Sequence, residues 1–451
     1  MSARLVVVGD TLLDRDVDGS VRRVSPDAPA LVLDEESTVD RPGGAGRAAT
    51  LAAADGLDVT LVTALADDAG GLRLAELLTA ADVRLHAVRL PGATPEKVRL
   101  RARGQVLLRL DRGGADPAPP ADPGDLRPLF DAADAILVSD YGRGLTARPG
   151  LRAALTETGT PIVWDPHPRG SAPVPGVRLA TPNEAEARLL SDDAGGGGRI
   201  AAATRAGQEL RRRWRAGAVA VTTGAAGAVL CHAGPTPLVV PAPQVAEGDT
   251  CGAGDRFAAT ATAALAAGAL PSEAVAAAVA AATAAIGLHR VDNTVVPAGP
   301  VHDVVARVRA AGGTIVATGG CFDLLHAGHI ATLEAARALG DCLVVCLNSD
   351  TGVRSLKGPD RPVVAEADRT RLLEALSCVD AVVVFDEPTP EATLAWLRPD
   401  IWVKGGDYTD GGPALPEAGL VKQWGGQTVI VPYLDGRSTT GLISTARSKG
   451  H

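Results

Sequence analysis

The sequence predicts an α/β protein whose mostly parallel sheets are covered by helices on both faces. Short apolar runs rich in β-branched residues recur along the chain, and segments of helical periodicity lie between them. Glycine-rich turns come directly before two of the predicted helices. Because parallel strands need crossover connections, this alternation indicates parallel sheets with ligands at the carboxyl ends of the strands.

Length and composition restrict the class of protein. The 451 residues are enough for two or three domains, and a hydrophobic share of 46% supplies large cores. The net charge of −9, with no basic block, argues against a nucleic-acid partner. The six cysteines are scattered, so we expect reduced core residues and neither a disulfide framework nor a zinc site.

The sequence predicts neither a signal peptide nor a membrane span. Asp10 ends the first apolar run too early for a signal peptide. The Ala-rich run 258–286 is interrupted by Gly268, Pro271 and Glu273, which predicts two packed helices. We therefore expect a cytoplasmic protein with no membrane partner.

The amino-terminal region alternates strands and helices. Polar and apolar residues alternate over 14–33 and 96–111, which predicts hairpin strands beside the main sheet. Residues 41–46 predict a glycine-rich turn before the first helix. The expected strands are 5–8, 59–64, 135–139, 161–164, 218–223 and 228–231, and the expected helices are 47–55 and 72–80.

A first chemical centre is predicted at residues 249–255, DTCGAGD, directly before a helix. Its glycines let backbone N–H groups point at one anion, and the helix dipole adds to the attraction. Asp255 then lies beside this anion hole. A carboxylate there can accept the proton of a sugar hydroxyl that attacks the γ-phosphate of ATP.

The DTxGAGD pattern resembles the signature of the ribokinase-like (phosphofructokinase-B) carbohydrate kinases. The resemblance implies a three-layer kinase domain over residues 1–297, with the hairpins at 14–33 and 96–111 forming a small β lid that also dimerises. Residues 24–29 and 139–144 resemble the heptose-kinase branch. The resemblance implies sugar contacts at Asp14, Gly43, Gly44, Arg47, Asp140 and Asp165. It implies nucleotide or phosphate contacts at Asn183, Glu186, Thr223, Gly224, Gly227, Gly252, Ala253 and Gly254, with Glu186 holding Mg²⁺ through water.

The chain departs from that family at two positions near the expected sugar. Arg47 stands where the family usually has asparagine, and His167 stands where relatives often have lysine. An equal alternative to a sugar contact is that Arg47 is only a solvated residue on the helix. The sugar that is recognised therefore stays open.

The second region begins at residue 312, after a linker at 298–311. It predicts strands at 314–318, 342–347, 381–385 and 401–404, and a helix at 330–339. Gly319 and Gly320 are expected to end the first strand and leave room for a ligand. His326 and His329 come where the helix begins, so their imidazoles can add donors for phosphate at its positive end. The alternative is that the two histidines only cap the helix and pack against the sheet.

Residues 320–329, GCFDLLHAGH, resemble the HxGH signature of the cytidylyltransferase-like nucleotidyltransferases. The similarity continues through 348–350, 356–358, 361–362, 404–408 and 435–440, and is greatest to the adenylyltransferase half of the bifunctional heptose kinase/adenylyltransferases. It implies a Rossmann-like domain over 312–451, with Lys357, in a loop after the second strand, joining His326 and His329 as a catalytic residue. The implied nucleotide contacts are Gly320, Phe322, Asp323, Gly328, Lys404, Gly405, Asp407, Ser438, Thr439 and Thr440.

The two resemblances together imply two reactions on sugar phosphates, with ATP as substrate in both and Mg²⁺ as cofactor. The first phosphorylates a heptose 7-phosphate at C1, and the second transfers an adenylyl group to heptose 1-phosphate. One alternative is the same chemistry on another sugar phosphate, or with CTP or GTP. The other is a non-catalytic regulator that binds sugar or nucleotide, against which the intact Asp255, His326 and His329 argue.

Overall fold

The structure is a computed structural model that describes residues 2–24, 31–103, 105–113, 120–193, 195–242, 250, 252–286, 301–406 and 416–432. Contacts divide the chain into two compact units. The first contains the described residues within Met1–Asp192, Glu209–Ala220 and Asp249–Ile286. The second contains those within Asp193–Gln208, Val221–Gly248 and Gly287–His451. The predicted domain boundaries at 297 and 312 stay a prediction.

The strands and helices follow one another in the predicted alternation. The strands are β1 Arg4–Gly9, β2 Thr11–Val24, β3 Leu31–Gly44, β4 Asp58–Leu65, β5 Arg84–Arg89, β6 Glu96–Ala102, β7 Gln105–Arg112, β8 Ala135–Ser139, β9 Ile162–Asp165, β10 Leu179–Ala180, β11 Ala218–Thr222, β12 Ala228–Cys231, β13 Leu238–Val240, β14 Ile315–Gly320, β15 Cys342–Asn348, β16 Ala381–Phe385, β17 Ile401–Gly406 and β18 Gln427–Pro432. The helices are α1 Ala45–Ala54, α2 Ala69–Ala80, α3 Arg127–Asp131, α4 Pro149–Glu157, α5 Glu184–Leu190, α6 Arg199–Trp214, α7 Ala253–Ala266, α8 Pro271–Ile286, α9 Val301–Ala310, α10 Ala327–Arg337, α11 Asp350–Lys357, α12 Glu366–Glu374, α13 Glu391–Leu397 and α14 Pro416–Gln423.

The first unit is organised around a parallel sheet with the strand order β10-β9-β8-β1-β4-β5. The apolar residues of β1 and β8 are almost fully buried, as expected for strands covered on both faces. Because the strands are parallel, their carboxyl ends meet at one edge. Asp10 follows β1 at that edge, Asp140 follows β8, and Asp165 ends β9.

A smaller sheet with the order β3-β2-β6-β7 forms beside the main sheet of the first unit. β2 pairs antiparallel with β3 and parallel with β6, and β6 pairs antiparallel with β7. The predicted hairpin strands are therefore confirmed. The predicted turn at 41–46 is wrong in detail, because β3 extends to Gly44 and α1 begins directly at Ala45.

The second unit contains a parallel sheet with the order β16-β15-β14-β17-β18. β13 joins its edge by pairing parallel with β18 at Leu238 and Ile430, and β12 pairs antiparallel with β13. The core packs apolar residues of the strands against α9, which supplies Val304, Val305 and Val308. The indole of Trp402 is fully buried in this core.

One predicted strand end in the second unit is wrong. Gly319 and Gly320 do not break the strand, because β14 pairs with β15 as far as Gly320. A Cβ on Gly319 would lie 2.7 Å from the Trp402 ring. Gly319 is therefore needed because a core indole packs against the strand, and its close neighbour is not a ligand.

The described cysteines, Cys231, Cys321, Cys342, Cys346 and Cys378, are all free. Burial raises the pKa of Cys346 to about 12 and that of Cys342 to about 11, so both stay thiols. The prediction of reduced cysteines holds for these residues, although Cys321 and Cys378 are only half-buried. None of the described helices has both the length and the apolar composition that crossing a bilayer requires.

Candidate active sites

Asp255 lies in the first turn of α7 and is only 6% exposed. The residue before the helix, Gly252, has a left-handed φ of 85°, which glycine adopts without steric cost. A Cβ on Gly254 would meet nothing within 4 Å, so open space lies beside this turn. The unpaired N–H groups of a helix N-terminus attract anions. This turn can therefore hold a phosphate next to a buried carboxylate.

The protonation state of Asp255 is set by burial and by Tyr141. Burial raises the pKa of Asp255 to about 6. The hydroxyl of Tyr141 donates a hydrogen bond to Asp255 Oδ1 at 2.9 Å, and this bond and the charge of Arg47 limit the rise. Burial and the charges of Asp255 and Asp165 raise the pKa of Tyr141, which stays a donor. Near neutral pH, Asp255 is therefore mostly ionised and can accept a proton.

The guanidinium of Arg47 lies directly against Gly252. A Cβ built on Gly252 would be 2.1 Å from Cζ of Arg47, so this approach requires glycine. Arg47 is half-buried on α1, which packs against α7. It therefore brings positive charge to the start of α7 and does not lie on a solvated helix face.

Asp14, Gly43 and Gly44 come together where the small sheet meets the main sheet. A Cβ on Gly43 would be 2.6 Å from Asp14 Oδ2, and a Cβ on Gly44 would be 3.3 Å from the Tyr141 ring. Asp14 is 8% exposed, and its Oδ1 is 3.6 Å from Nη1 of Arg99. The predicted sugar residues Asp14, Gly43 and Gly44 are thus close to the tyrosine that contacts Asp255.

Two buried carboxylates hold the loop after β8. Asp140 accepts hydrogen bonds from the Thr146 hydroxyl at 2.7 Å and from the Ser171 N–H at 3.0 Å. Asp10 accepts hydrogen bonds from three backbone N–H groups of the same loop, those of Tyr141, Arg143 and Leu145. Asp140 thus stabilises the loop, and its predicted contact with the sugar stays a prediction.

Asp165 and Glu186 are the carboxylates with which the first unit could hold Mg²⁺. Asn183 Oδ1 accepts from the Glu186 N–H at 2.9 Å, and Glu186 Oε2 accepts from the Asn183 N–H at 2.8 Å, which caps α5. Burial, and then the charges of Glu186 and Asp255, raise the pKa of Asp165. A divalent cation bound between such carboxylates would offset their mutual repulsion. The described residues contain no group of three metal ligands, and Mg²⁺ bound through water and phosphate needs only one or two carboxylates.

The second unit contains the predicted nucleotide turn at Thr223, Gly224 and Gly227. The Thr223 hydroxyl and N–H donate to the Gly227 carbonyl at 3.0 and 2.8 Å. Gly224 and Gly227 have φ of 60° and 91°. A Cβ on Gly227 would lie 2.0 Å from the Val240 carbonyl oxygen, so the turn is fixed by close backbone packing.

His326 and His329 lie together at the N-terminus of α10, as predicted. His326 is the cap residue, and its ring stacks on that of His329 with centroids 3.8 Å apart. Nδ1 of His329 has no hydrogen-bond partner in the part of the chain that the structure describes. Burial, and then the charges of His326 and Lys357, lower the pKa of His329 to about 4. The imidazole is therefore neutral at pH 7 and can donate one hydrogen bond to a phosphate.

The segment before the histidines is held by Asp323. Its carboxylate accepts hydrogen bonds from the Arg361 guanidinium at 2.6 Å and from the N–H groups of Val363 and Val364 at 3.0 Å. Burial alone would raise the pKa of Asp323, but these donors outweigh it and lower the pKa. The Phe322 ring lies 5.4 Å from that of His329. Asp323 and Phe322 thus position the histidines.

The remaining predicted residues of the second site are distributed around α10 and β17. Lys357 is exposed as the last residue of α11, so its predicted place in a loop is wrong. Lys404 Nζ is 3.1 Å from Glu417 Oε1. A Cβ on Gly405 would be 3.1 Å from Thr332, whose hydroxyl donates to the Gly328 carbonyl. The predicted residues Asp407, Ser438, Thr439 and Thr440 lie outside the described residues.

Comparison with known proteins assigns the chain to a family. Residues 2–298 match the pfkB family carbohydrate kinases, and residues 317–424 match the cytidylyltransferase-like family. The bifunctional protein HldE of Streptomyces coelicolor is 54% identical over 98% of this chain and 96% of its own length. That of Alcanivorax borkumensis is 36% identical over 99% and 98%. The chain belongs to the HldE family.

Membership of the HldE family confirms a bifunctional enzyme with a carbohydrate kinase part and a nucleotidyltransferase-like part. Phosphofructokinase-2 from Escherichia coli, solved in complex with potassium, superposes with a TM-score of 0.50 at 21% identity. The superposition covers 63% of this chain and 93% of that one, and it shows the fold alone. The predicted ribokinase-like region followed by a cytidylyltransferase-like region is therefore confirmed.

Two residues of this HldE-family chain were missed by the sequence analysis. Tyr141 lies within 139–144, the stretch that resembles the heptose-kinase branch, but its role was not predicted. Its hydrogen bond to Asp255 joins residues 114 positions apart, so no local pattern indicates it. Arg369 is 1% exposed and donates to the carbonyls of Cys321 and Asn348 at 2.6 and 2.8 Å. A single arginine in a helix rich in charged residues gives no sequence signal of such burial, because arginines in that setting are usually solvated.

Proposed function

We propose that the chain catalyses two ATP-dependent steps in the synthesis of a nucleotide-activated heptose. The first phosphorylates D-glycero-D-manno-heptose 7-phosphate at C1. After separate removal of the 7-phosphate, the second converts heptose 1-phosphate and ATP into ADP-heptose and pyrophosphate. One observation carries the proposal: a chain 54% identical to an HldE protein has a buried carboxylate at one helix N-terminus and a stacked histidine pair at another.

In the kinase step, Asp255 is the general base. It takes the proton of the C1 hydroxyl as that oxygen bonds to the γ-phosphorus of ATP, and the bond to the β,γ-bridging oxygen breaks to release ADP. The N–H groups of Gly252–Gly254 hold the transferred phosphoryl group. Arg47 adds positive charge at the same place.

The residues that would hold magnesium in the kinase step are Asp165 and Glu186, directly or through water. When bound, Mg²⁺ neutralises charge on the ATP phosphates. Asn183 positions Glu186 through the reciprocal hydrogen bonds that cap α5.

In the nucleotidyl transfer step, an oxygen of heptose 1-phosphate bonds to the α-phosphorus of ATP, and the bond to the α,β-bridging oxygen breaks. The sugar phosphate is already ionised, so no protein base is needed. His326, His329 and Lys357 hold the triphosphate and offset the charge that develops on the departing pyrophosphate.

We further assign the kinase step to residues 1–297 and the transfer step to 312–451, joined by 298–311. The exposed side chains of β7, among them Val106 and Leu108 at 54% and 55%, support a homodimer formed through the small sheet. The use of ATP and of phosphorylated sugars in both steps fits a cytoplasmic enzyme.

The proposal is tested with synthetic substrates and mass spectrometry of the products. Heptose 7-phosphate and ATP should give heptose 1,7-bisphosphate and ADP, and heptose 1-phosphate and ATP should give ADP-heptose and pyrophosphate. CTP and GTP in parallel reactions test the choice of nucleotide. Faster conversion of another sugar phosphate, or of another nucleotide, would contradict the assigned substrates.

A further inference from the structure

Arg361 connects two segments of the second unit beside the N-terminus of α10, here called the transfer site. It comes shortly after Lys357, the last residue of α11, and its backbone N–H donates to the Gly358 carbonyl at 3.2 Å. Its side chain reaches the turn before the histidines, where Nε donates to Oδ2 of Asp323 at 2.6 Å. The proposed transfer chemistry uses Lys357 and His329, and it leaves Arg361 with this ion pair alone.

One nitrogen of the Arg361 guanidinium has no acceptor among the residues that the structure describes. The side chain is 14% exposed, and its Nη2 is shielded from solvent without a hydrogen-bond partner there. The carboxylate of Asp323 already accepts from Nε and from the N–H groups of Val363 and Val364. A buried guanidinium N–H without an acceptor is unfavourable. Nη2 is therefore a donor that a bound anion can use.

A strained turn fixes the place of Arg361. Phe322 and Leu324, on either side of Asp323, have φ of 44° and 54°, in the left-handed region that residues with a Cβ seldom adopt. Such strain is retained where surrounding contacts outweigh it, and it is concentrated at functional sites. Here the buried Asp323 supplies those contacts through its hydrogen bonds. The guanidinium is therefore held in position before a ligand binds.

The charges around the transfer site place Arg361 close to the histidines. The charge of Lys357 lowers the pKa of His329, and the charge of Asp323 raises it. Both charged groups are therefore near His329, and Arg361 bonds directly to Asp323. An anion at the N-terminus of α10, which the helix dipole favours, consequently lies close to the guanidinium.

We propose that Nη2 of Arg361 donates a hydrogen bond to a phosphate oxygen of a substrate bound at the transfer site. The inference rests on the proposed function, which brings two phosphate groups together there, the triphosphate of ATP and the phosphate of the sugar. Both present ionised oxygens, to which a guanidinium donates strong hydrogen bonds. Nε thus anchors Arg361 to Asp323, and Nη2 binds the substrate.

Calorimetric titrations without turnover test this contact and identify the phosphate. Inorganic pyrophosphate represents the triphosphate, and heptose 1-phosphate is the second probe. Each is titrated into the wild type, Arg361→Lys and Arg361→Gln. Lysine keeps a cation for Asp323, but its single nitrogen cannot occupy the positions of both Nε and Nη2. Both variants should therefore bind at least one probe about tenfold or more weakly, which is the scale of a lost charged hydrogen bond.

Two controls accompany the titrations. Arg371→Gln should bind both probes as the wild type does, because Arg371 is exposed on α12. Binding of a probe elsewhere in the chain is common to all these proteins and cancels in the comparison. The pKa of His329, measured by NMR of the histidine side chains, reports whether the turn is disturbed. It should be the same in Arg361→Lys as in the wild type, because Asp323 keeps a cationic partner.

The outcomes separate this inference from the proposed function. A loss confined to pyrophosphate assigns Arg361 to the triphosphate, a loss confined to heptose 1-phosphate assigns it to the sugar phosphate, and a loss for both places it between them. Unchanged affinities in Arg361→Lys would overturn the inference, as would a loss accompanied by a shifted pKa of His329, which would mean that Arg361 only positions the turn. Arginine-dependent binding in a protein that forms no ADP-heptose would overturn the proposed function and leave the phosphate contact assigned.

Discussion

The hydroxyl of Tyr141, a half-buried residue, donates a hydrogen bond to Oδ1 of the buried Asp255 at 2.9 Å. The bond stabilises the ionised form of Asp255 against the cost of burial. The tyrosine therefore tunes the base without itself giving up a proton.

Replacing Tyr141 by phenylalanine should move the acid limb of kinase activity to higher pH. The hydrogen bond lowers the pKa of Asp255, so its loss raises that pKa above about 6, and the carboxylate is ionised only at higher pH. A lost bond of this kind corresponds to roughly 1 pH unit. The measurement is the pH profile of kcat/KM for sugar phosphorylation. A limb that stays in place or moves to lower pH would contradict the role of Tyr141, and the adenylyl transfer profile is the internal control.

The two activities should be separable by single substitutions. Asp255→Asn removes the base of the kinase step and should lower its kcat about a hundredfold or more, with adenylyl transfer intact. His329→Ala should do the reverse, with a loss of about 10² to 10³ in kcat for adenylyl transfer. Both rates are measured on the same preparations. Loss of both activities in a folded variant would refute two independent sites.

Binding of ATP to the second site should take up protons between pH 5 and 6. Free His329 has a pKa of about 4 and is neutral there, and a bound triphosphate stabilises the imidazolium and raises that pKa. Calorimetry in buffers of different ionisation enthalpy measures the uptake. His329→Gln should bind ATP with less uptake, and equal uptake in variant and wild type would contradict the prediction.

Arg369→Ala should destabilise the protein by about 3 kcal/mol or more, because it leaves buried carbonyls unpaired. The side chain is 1% exposed and bonds to Cys321, Asn348, Val364 and Asp350. Urea unfolding measures the change. Arg371→Ala, on the same helix but exposed, should be nearly neutral, and a similar loss in both variants would contradict a specific role.

Leu108→Asp should dissociate the proposed homodimer, because Leu108 is 55% exposed on β7 and a buried carboxylate at an apolar interface is costly. Light scattering coupled to gel filtration gives the mass. The control is Leu372→Asp, which makes the same change at a residue 48% exposed on α12. A monomeric wild-type protein would contradict the homodimer. A Leu108→Asp variant that remains dimeric would place the interface elsewhere.

Local patterns were enough to predict the elements that position both sites. The strand 135–139 has the predicted bounds, and the Ala-rich run forms two helices, α7 and α8. Glycine before a helix is a local signal, since it reflects the conformation of a few neighbouring residues. This is why the placement of Asp255 and of the histidine pair at helix starts followed from sequence alone.

Long-range packing was not accessible from the sequence. Gly319 suggested a strand end, yet β14 continues through it by pairing with β15. The space beside Gly319 is filled by the indole of Trp402 from the neighbouring strand β17, which is distant in sequence. Lys357 was expected in a loop, but the helix α11 begins at Asp350 with Ser349 as its cap. Local periodicity over so few residues could not distinguish a two-turn helix from a loop.

The contact between Arg47 and Gly252 has a consequence for how the kinase region meets its first ligand. The guanidinium already occupies the space above the glycine, so an arriving phosphoryl group encounters a counter-ion in place and needs no distant side chain to swing inward. Any larger residue at position 252 would evict that cation, so a side chain can be added at position 252 only if Arg47 changes as well.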